Sequence, residues 1–292
     1  MRRHVRIDNP SRRNLNILLL LLSGLLGMAG FGNETLNAQE RALDAVKKRG
    51  VLRAGIRTDN PPHSFIDDKG RWVGFDIDIA VGLAKELGVK LEKVQVDELT
   101  RISYLKTGQI DVAVASMSHT IKRDMEVDFS QTYFWSKQTF LVRKRAVKSL
   151  RDLVGKRVGM SRGSHAIGNW RDWLKKHGHA FDSKLVMECN NKQAAGDAVR
   201  QGAIEGYAED YEILSSLAKR ESSLTVLNEA IGMKQDGIGV RENDSKIRDA
   251  VNFALQRLAK SGLYDKIYDQ WFGPNSDTPV PRSGETEVWP DG

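Results

Sequence analysis

Three hydroxyl side chains and an arginine follow an apolar segment in the middle of the sequence. Residues 110–115 are mostly apolar and β-branched, which predicts a buried parallel strand. Ser116, Ser118 and a threonine come after it, and Arg123 follows. Hydroxyls, free N–H groups at a helix start and a guanidinium favour a carboxylate at the end of a strand. We therefore call residues 116–123 the anion-binding segment, although a Ser/Thr N-cap followed by a solvated basic turn has the same local pattern.

Charged and hydroxyl side chains also follow other predicted elements. Arg57 comes after the first predicted strand, and Arg101 lies in the first turn of a predicted helix, where a cation opposes the helix dipole. Asp210 ends a later strand, while Ser164 and His165 follow a glycine at a helix start, so that their amides can point at an anion. A solvated arginine and an N-cap aspartate are the alternative interpretations of Arg101 and Asp210.

The composition is that of a globular protein with proper cores. The chain has 292 residues, 40% of them hydrophobic, and a mean hydropathy of −0.44, which suits a soluble protein of two modest domains. Part of the formal net charge of +7 lies in residues 1–38, which hold five arginines and two acidic residues, and the remaining +4 is too spread out to favour nucleic acid as a partner. The single cysteine, Cys189, excludes an internal disulfide and a cysteine-based metal cluster. Because the histidines are scattered, we expect neither a metal nor a cofactor.

The N-terminal residues differ in composition from the rest of the chain. Five arginines precede an apolar stretch at residues 15–30. A basic segment followed by a short apolar one predicts a secretory signal peptide, which we place at residues 1–38. A retained transmembrane anchor is the alternative, although the stretch is short for a bilayer.

Several motifs occur in a fixed order on both sides of the anion-binding segment. They lie at residues 72–80, 105–111, 127–130, 150–159 and 264–273. With the anion-binding segment, they closely resemble the polar amino-acid-binding family of periplasmic solute receptors for ABC transporters. The resemblance covers about residues 40–275. It implies a periplasmic, monomeric receptor that closes on an amino acid and delivers it to a membrane permease.

The resemblance also implies an α/β fold of two lobes joined by two crossing segments that act as a hinge. We expect the following division after the signal peptide: lobe 1 at 40–135, lobe 2 at 138–233, a return crossing with the cap helices of lobe 1 at 236–275, and a polar C-terminal tail at 276–292. Within lobe 1, the periodicity of apolar residues predicts a helix at 75–87 that ends at Gly88.

In relatives, the segments matching this chain's candidate residues bind an amino acid through its two common groups. The resemblance implies that the α-carboxylate is bound by Ser116, Ser118, Arg123, Ser164 and His165. Asp210 matches the aspartate that pairs with the α-ammonium group. His165 replaces a threonine, and an imidazole can still donate a hydrogen bond.

Two arginines suggest which amino acid is bound. In the subset of relatives that bind glutamate and aspartate, arginines occupy the positions of Arg57 and Arg101. The resemblance therefore implies that both bind a side-chain carboxylate. Relatives usually carry an aromatic ring at the position of His63, which we also place among the binding residues. Receptors for a neutral or a basic amino acid remain alternatives.

An enzyme is the alternative of a different class. Cyclohexadienyl dehydratases resemble the same receptors, and they carry a glutamate just beyond the second-lobe aspartate. Glu212 lies near that place, but its spacing from Asp210 differs. We therefore favour a receptor without catalytic residues over a prephenate dehydratase.

Overall fold

The computed structural model of this protein describes residues 42–280, 282, 284 and 287–290. The predicted signal peptide lies outside these residues. No helix in the described part of the chain is long and apolar enough to cross a membrane.

Two β-sheets are present in this part of the chain. The strands are β1 (Val51–Ile56), β2 (Asp59–Asn60), β3 (Ser64–Ile66), β4 (Trp72–Val73), β5 (Lys90–Gln95), β6 (Val112–Ser118), β7 (Asp128–Arg143), β8 (Val158–Ser161), β9 (Val186–Cys189), β10 (Gly206–Asp210), β11 (Leu224–Val226) and β12 (Gly232–Val240). The main sheet has the order β5-β1-β6-β12-β7-β10-β8-β9, with β11 also paired to β7, and β2, β3 and β4 form a small separate sheet.

Helices cover the main sheet. They are α1 (Ala42–Arg49), α2 (Phe75–Leu87), α3 (Thr100–Lys106), α4 (Ile121–Asp124), α5 (Ala166–Lys176), α6 (Lys192–Gln201), α7 (Tyr211–Arg220), α8 (Ser245–Lys260) and α9 (Leu263–Phe272). The predicted helix at 75–87 is confirmed. Gly88 ends it in the left-handed conformation, with φ of 67°, and its N–H donates to the carbonyl groups of the last turn.

The strand pairing divides the sheet into two lobes. On one side β1 pairs in parallel with β5 and β6, and on the other β8 pairs in parallel with β9 and β10. Between them β7 and β12 are antiparallel to each other, and β7 runs on to pair with β10. The two-lobed α/β fold with two crossing segments is therefore confirmed.

Each lobe has a core of its own. In lobe 1, Leu52 of β1 and Ile79 of α2 pack with the cap helices α8 and α9. In lobe 2, Phe140 of β7 packs with Trp170 and Leu174 of α5. Because the carboxyl ends of parallel strands face the region where the lobes meet, polar side chains at those ends can form a shared cleft.

Close packing holds β12 against β6 in lobe 1. A Cβ atom at Gly239 would lie 2.4 Å from Met117 Cε and 2.9 Å from Leu105 Cδ1, so a larger residue there would require these buried side chains to move. The resulting register pairs Asp236 with Ser118 at their Cα positions. A charged residue of the crossing strand is thereby placed beside the anion-binding segment.

Candidate functional site

The anion-binding segment begins inside β6 and ends in a short helix. Every residue of β6 is buried, and Ser116 has a positive φ of 49°. The Oγ atom of Ser116 is buried without a hydrogen-bond partner among the described residues. Thr120 is the N-cap of α4 and accepts a hydrogen bond from the backbone N–H of Arg123 at 3.3 Å. The predicted helix start after this strand is therefore present, although α4 is only four residues long.

Arg123 reaches from lobe 1 to lobe 2. Its Nη1 donates to the carbonyl oxygen of Ser118 at 2.9 Å, and its Nη2 donates to the carbonyl oxygen of Gly163 at 3.1 Å. Ser164 and His165 follow Gly163 and, together with Arg123, line a cavity of about 800 Å³. Burial lowers the pKa of His165, and the nearby Arg123 lowers it further. The structure thus brings three of the predicted carboxylate-binding residues to one cleft, from both lobes.

Arg101 is a buried cation beside the same segment. Its Nη1 donates to the carbonyl oxygen of Ala115 at 2.8 Å, while its Nε has no hydrogen-bond partner among the described residues. No carboxylate oxygen in the described part of the chain lies within 4 Å of the guanidinium of Arg101 or Arg123. Burial and the neighbouring Arg123 lower the pKa of Arg101 to about 9. The cleft therefore contains two arginines without a carboxylate partner.

Arg57 has a different environment from Arg101. Its guanidinium contacts Glu98 Oε1 at 2.5 Å and Asp59 Oδ1 at 3.0 Å. Although burial lowers the pKa of Arg57, these carboxylates raise it above its usual value. Lys192 of lobe 2 lies 3.4 Å from Glu98 and 3.2 Å from Glu209. Arg57, Glu98, Lys192 and Glu209 thus form an ion-pair network between the lobes, which we call the Arg57 network.

Asp210 is paired within the protein. Its Oδ1 accepts a hydrogen bond from Gln138 Nε2 at 2.9 Å, and its Oδ2 accepts one from Lys234 Nζ. The same Nζ lies 2.9 Å from Asp236 Oδ2, outside hydrogen-bond geometry. We call Lys234, Asp210 and Asp236 the Lys234 cluster. All three side chains are buried.

The charges of the Lys234 cluster perturb one another. Although burial lowers the pKa of Lys234, Asp210 and Asp236 raise it above its usual value. Burial raises the pKa of Asp236 to about 6, even though Lys234 favours its ionised form. One lysine is therefore shared between two buried carboxylates.

His63 lies behind the cleft, in the aromatic core of lobe 1. Its ring is fully buried, with its centroid 4.7 Å from that of Phe134. Its Nε2 lies 2.9 Å from Glu212 Oε1, and its Nδ1 lies 3.6 Å from Asp76 Oδ1. Although burial lowers the pKa of His63, the two carboxylates raise it to about 10, so the ring is charged.

Glu212, the residue that suggested an enzyme, is likewise enclosed. It is fully buried and accepts hydrogen bonds from His63 and from the hydroxyl of Ser136. His63 and Glu212 do not line the cavity beside Arg123, and the buried side chains of Arg101, Asp210, Lys234 and Asp236 do not line it either. The described residues include no group of three or more His, Cys, Asp or Glu side chains that could hold a metal ion.

Four charged residues of the cleft were missed from the sequence: Glu98, Lys192, Lys234 and Asp236. For two of these residues the sequence contained a feature that could have indicated their role. Lys234 and Asp236 are charged residues in a segment expected to cross between lobes, where a buried charge requires a partner. Glu98 and Lys192 lie at loop and helix-start positions that usually carry charges, so nothing local distinguishes them.

Comparison with known proteins identifies the family of the chain. The family model described as bacterial extracellular solute-binding proteins, family 3, matches residues 52–274. This chain belongs to that family. The resemblance to solute receptors is thereby confirmed at the level of the family.

Other members of family 3 are similar over most of their length. The chain is 30% identical over 240 residues to the L-cystine-binding protein TcyJ of Escherichia coli (strain K12), which covers 81% of this chain and 88% of that protein. It is 29% identical over 264 residues to the ABC transporter glutamine-binding protein GlnH of Bacillus subtilis (strain 168), with coverages of 88% and 94%. The structure of an ancestral arginine-binding protein bound to arginine matches with a TM-score of 0.70 at 36% identity, covering 77% of this chain and 99% of that one. The ligands in these names differ in charge, so the residues of the cleft must determine specificity.

Proposed function

We propose that this protein is a periplasmic receptor that captures an acidic amino acid, glutamate or aspartate, by closure of its lobes. It delivers the amino acid to the permease of an ABC transporter. The observation that carries the proposal is the charge balance of the buried cleft. Two arginines there have no carboxylate partner among the described residues, and one carboxylate of the Lys234 cluster has no cation of its own.

Arg101 and Arg123 are the two cations of the cleft that lack a compensating negative charge within the described part of the chain. Both guanidinium groups are held by backbone carbonyl groups, which satisfy donors without neutralising charge. A buried cation is costly to maintain unless an anion pairs with it. Two carboxylates of one ligand would supply both anions. We assign the α-carboxylate to Arg123, Ser116, Ser118 and the 164–165 helix start, and the side-chain carboxylate to Arg101.

The Lys234 cluster carries one negative charge that no cation of its own compensates. One lysine faces two carboxylates there, which leaves one negative charge uncompensated. An ammonium group of the ligand would neutralise it.

The Arg57 network needs no ligand charge. Arg57 and Lys192 balance Glu98 and Glu209, and the second carboxylate partner of Arg57, Asp59, is half-exposed. We therefore do not assign Arg57 to the ligand, in contrast to the role that the resemblance implied. In this proposal His63 also acts from behind the site, by orienting Glu212.

A ligand with two carboxylates and one ammonium group matches this balance, and glutamate and aspartate are such ligands. A neutral amino acid would leave one arginine without an anion. A basic amino acid would add a cation next to two arginines that already lack a carboxylate partner. The relatives that bind amino acids and the predicted signal peptide support the same class of function and a periplasmic location.

A thermal-melt screen of the mature protein, recovered from the periplasm, tests the proposal. A ligand at a hundred times its Kd stabilises the folded state by about 2.7 kcal/mol, which is visible as a rise in Tm. We expect a selective rise with glutamate or aspartate. A rise with neutral or basic amino acids only would keep the receptor and contradict the acidic ligand. Consumption of prephenate would instead support an enzyme.

A further inference from the structure

We propose that Asp236, rather than Asp210, binds the α-ammonium group of the ligand, and that Lys234 permanently occupies Asp210. The inference deepens the proposed function and rests on it, because it requires a ligand that carries an ammonium group. It assigns a binding role to a residue of the second crossing strand and makes Lys234 a positioning residue.

Both carboxylate oxygens of Asp210 already accept a hydrogen bond from the protein, and its charge is paired with a lysine. Gln138 donates to its Oδ1, and Lys234 donates to its Oδ2. Its side chain and that of Lys234 are each at most 4% exposed, so water does not weaken the pair. Gln138 is itself held in place, because its Oε1 accepts a hydrogen bond from Asn169 Nδ2 at 2.8 Å. A ligand ammonium at Asp210 would compete with the charged lysine of a buried ion pair.

Asp236 is in the opposite situation. It is fully buried, and Lys234 Nζ lies 2.9 Å from its Oδ2, but neither of its carboxylate oxygens accepts a hydrogen bond of good geometry from a described residue. A buried carboxylate that shares its one cation with a second carboxylate, and that receives no well-oriented hydrogen bond, is costly to keep ionised. An ammonium group carries three N–H donors and a positive charge, so it could satisfy both requirements at once.

The position of Asp236 fits the geometry of an amino acid. The α-ammonium and α-carboxylate groups are attached to the same carbon, so the residues that bind them must be neighbours. Asp236 pairs in register with Ser118, whose carbonyl group holds Arg123. The residue therefore lies next to the segment to which we assign the α-carboxylate.

The charge of the Lys234 cluster favours the same assignment. Lys234 already neutralises Asp210, and a second carboxylate is not required to hold the lysine in place. The additional charge of Asp236 destabilises the ligand-free protein, as the rise of its pKa to about 6 by burial indicates. A residue that costs stability without a ligand, and would be compensated by one, has the properties of a binding residue.

The test compares two isosteric variants, Asp236→Asn and Asp210→Asn, in the full-length exported protein. Their affinities are measured by calorimetry for L-glutamate and for glutarate, which has the same two carboxylates but no ammonium group. We expect Asp236→Asn to weaken glutamate binding about 30-fold or more, and to leave glutarate binding nearly unchanged. Asp210→Asn should have a smaller effect, because Asp236 remains.

A rescue variant separates a binding role from a folding defect. In Asp236→Asn/Lys234→Met, the lysine no longer occupies Asp210, which becomes available to the ammonium group. We expect this double variant to regain part of the preference for glutamate over glutarate that Asp236→Asn alone has lost. A variant that was merely misfolded would not be rescued by a second buried substitution.

Two outcomes would overturn the inference while leaving the proposed function intact. One is a larger loss of glutamate affinity in Asp210→Asn than in Asp236→Asn, which would mean that Lys234 moves aside for the ligand. The other is an equal loss for glutamate and glutarate in Asp236→Asn.

The wild-type protein tests the proposed function separately. If it binds another amino acid and not glutamate or aspartate, the acidic ligand is wrong. The same two variants then test Asp236 with that amino acid and its analogue lacking the amino group. If it binds no amino acid, both proposals are overturned.

Discussion

The Arg57 network and the Arg101–Arg123 pair belong to one cleft, and both consist of buried cations. In the network, each cation lies within 3.4 Å of a carboxylate oxygen, and the carboxylates come from both lobes. In the pair, backbone carbonyl groups are the only hydrogen-bond acceptors in contact among the residues that the structure describes. Similar side chains therefore have opposite consequences. The charges of the network are compensated within the protein, whereas the charges of the pair are not.

The largest effect on ligand affinity should follow from removing Arg123, one of the two arginines without a carboxylate partner. Arg123→Ala should weaken glutamate binding by about 2–5 kcal/mol, roughly 30-fold to a few thousand-fold, because it leaves a buried ligand carboxylate unpaired. Calorimetry measures the change. Arg145→Ala is the matched control, since Arg145 is exposed, lies outside the anion-binding segment and should leave the affinity unchanged. An unchanged Kd in Arg123→Ala would remove this residue from the site.

Removal of Arg57 should instead affect the protein without ligand. Arg57→Met leaves Glu98 buried with Lys192 as its remaining partner, so the free energy of unfolding should fall by about 3 kcal/mol. Chemical denaturation of the ligand-free variant measures this. If stability were unchanged while glutamate affinity collapsed, Arg57 would be a ligand-binding residue and the contrast between the two regions would be wrong.

Arg101→Met should raise the free energy of unfolding of the ligand-free protein, whereas Arg57→Met should lower it. Because the guanidinium of Arg101 has no carboxylate partner, replacing it by an apolar side chain should stabilise the ligand-free protein by about 1 kcal/mol. The variant should also lose about tenfold in its preference for glutamate over glutamine, because a charged hydrogen bond to the side chain is removed. Equal losses for both ligands would show that Arg101 does not bind the side-chain carboxylate.

The smallest effect is a dependence of affinity on pH. Burial raises the pKa of Asp236 to about 6, so the carboxylate is ionised above that pH and protonated below it. Since an ammonium group binds only the ionised form, glutamate affinity should fall about tenfold between about pH 7 and about pH 5. In Asp236→Asn this fall should be absent.

Other charged groups around Asp236 do not reproduce this dependence. Lys234 has a raised pKa, and that of His63 is raised to about 10, so both keep their charge between pH 5 and pH 7. Glu212 and Arg123 have lowered pKa values but remain charged there as well. His165, whose pKa lies below its usual value, gains a positive charge as the pH falls and would strengthen carboxylate binding. Its contribution therefore has the opposite sign.

The local parts of this molecule could be predicted because their causes are local. The apolar, β-branched stretch before Ser116 forms β6, and the helix at 75–87 ends at Gly88, since periodicity and capping act over a few residues. The placement of Arg123, Ser164 and His165 in one cleft also follows from order in the sequence. Arg123 follows the carboxyl end of β6, and Ser164 and His165 follow that of β8. In this fold β6 and β8 run in opposite directions, so the carboxyl ends of the two lobes' strands face each other.

The pairing of charges could not be predicted in this way. Asp210 and Lys234 are 24 residues apart, and His63 and Glu212 are 149 residues apart. The ion pair between Arg57 and Glu98 depends on how the loop after β1 packs against the residues that precede α3. The sequence presents three similar arginines. Only Arg57 has a carboxylate partner nearby along the chain, Asp59, and nothing local predicts its buried contact with Glu98.

The sequence by itself determined the family, the two-lobed architecture and the residue types that line the cleft. Only the tertiary structure decided which of those charges are already compensated and which remain for a ligand. The physical reason is that a buried charge is governed by the few groups within about 4 Å of it. Except for Asp59 beside Arg57 and Asp236 beside Lys234, those groups are brought together by strand order and by contacts between the lobes, and not by proximity along the chain.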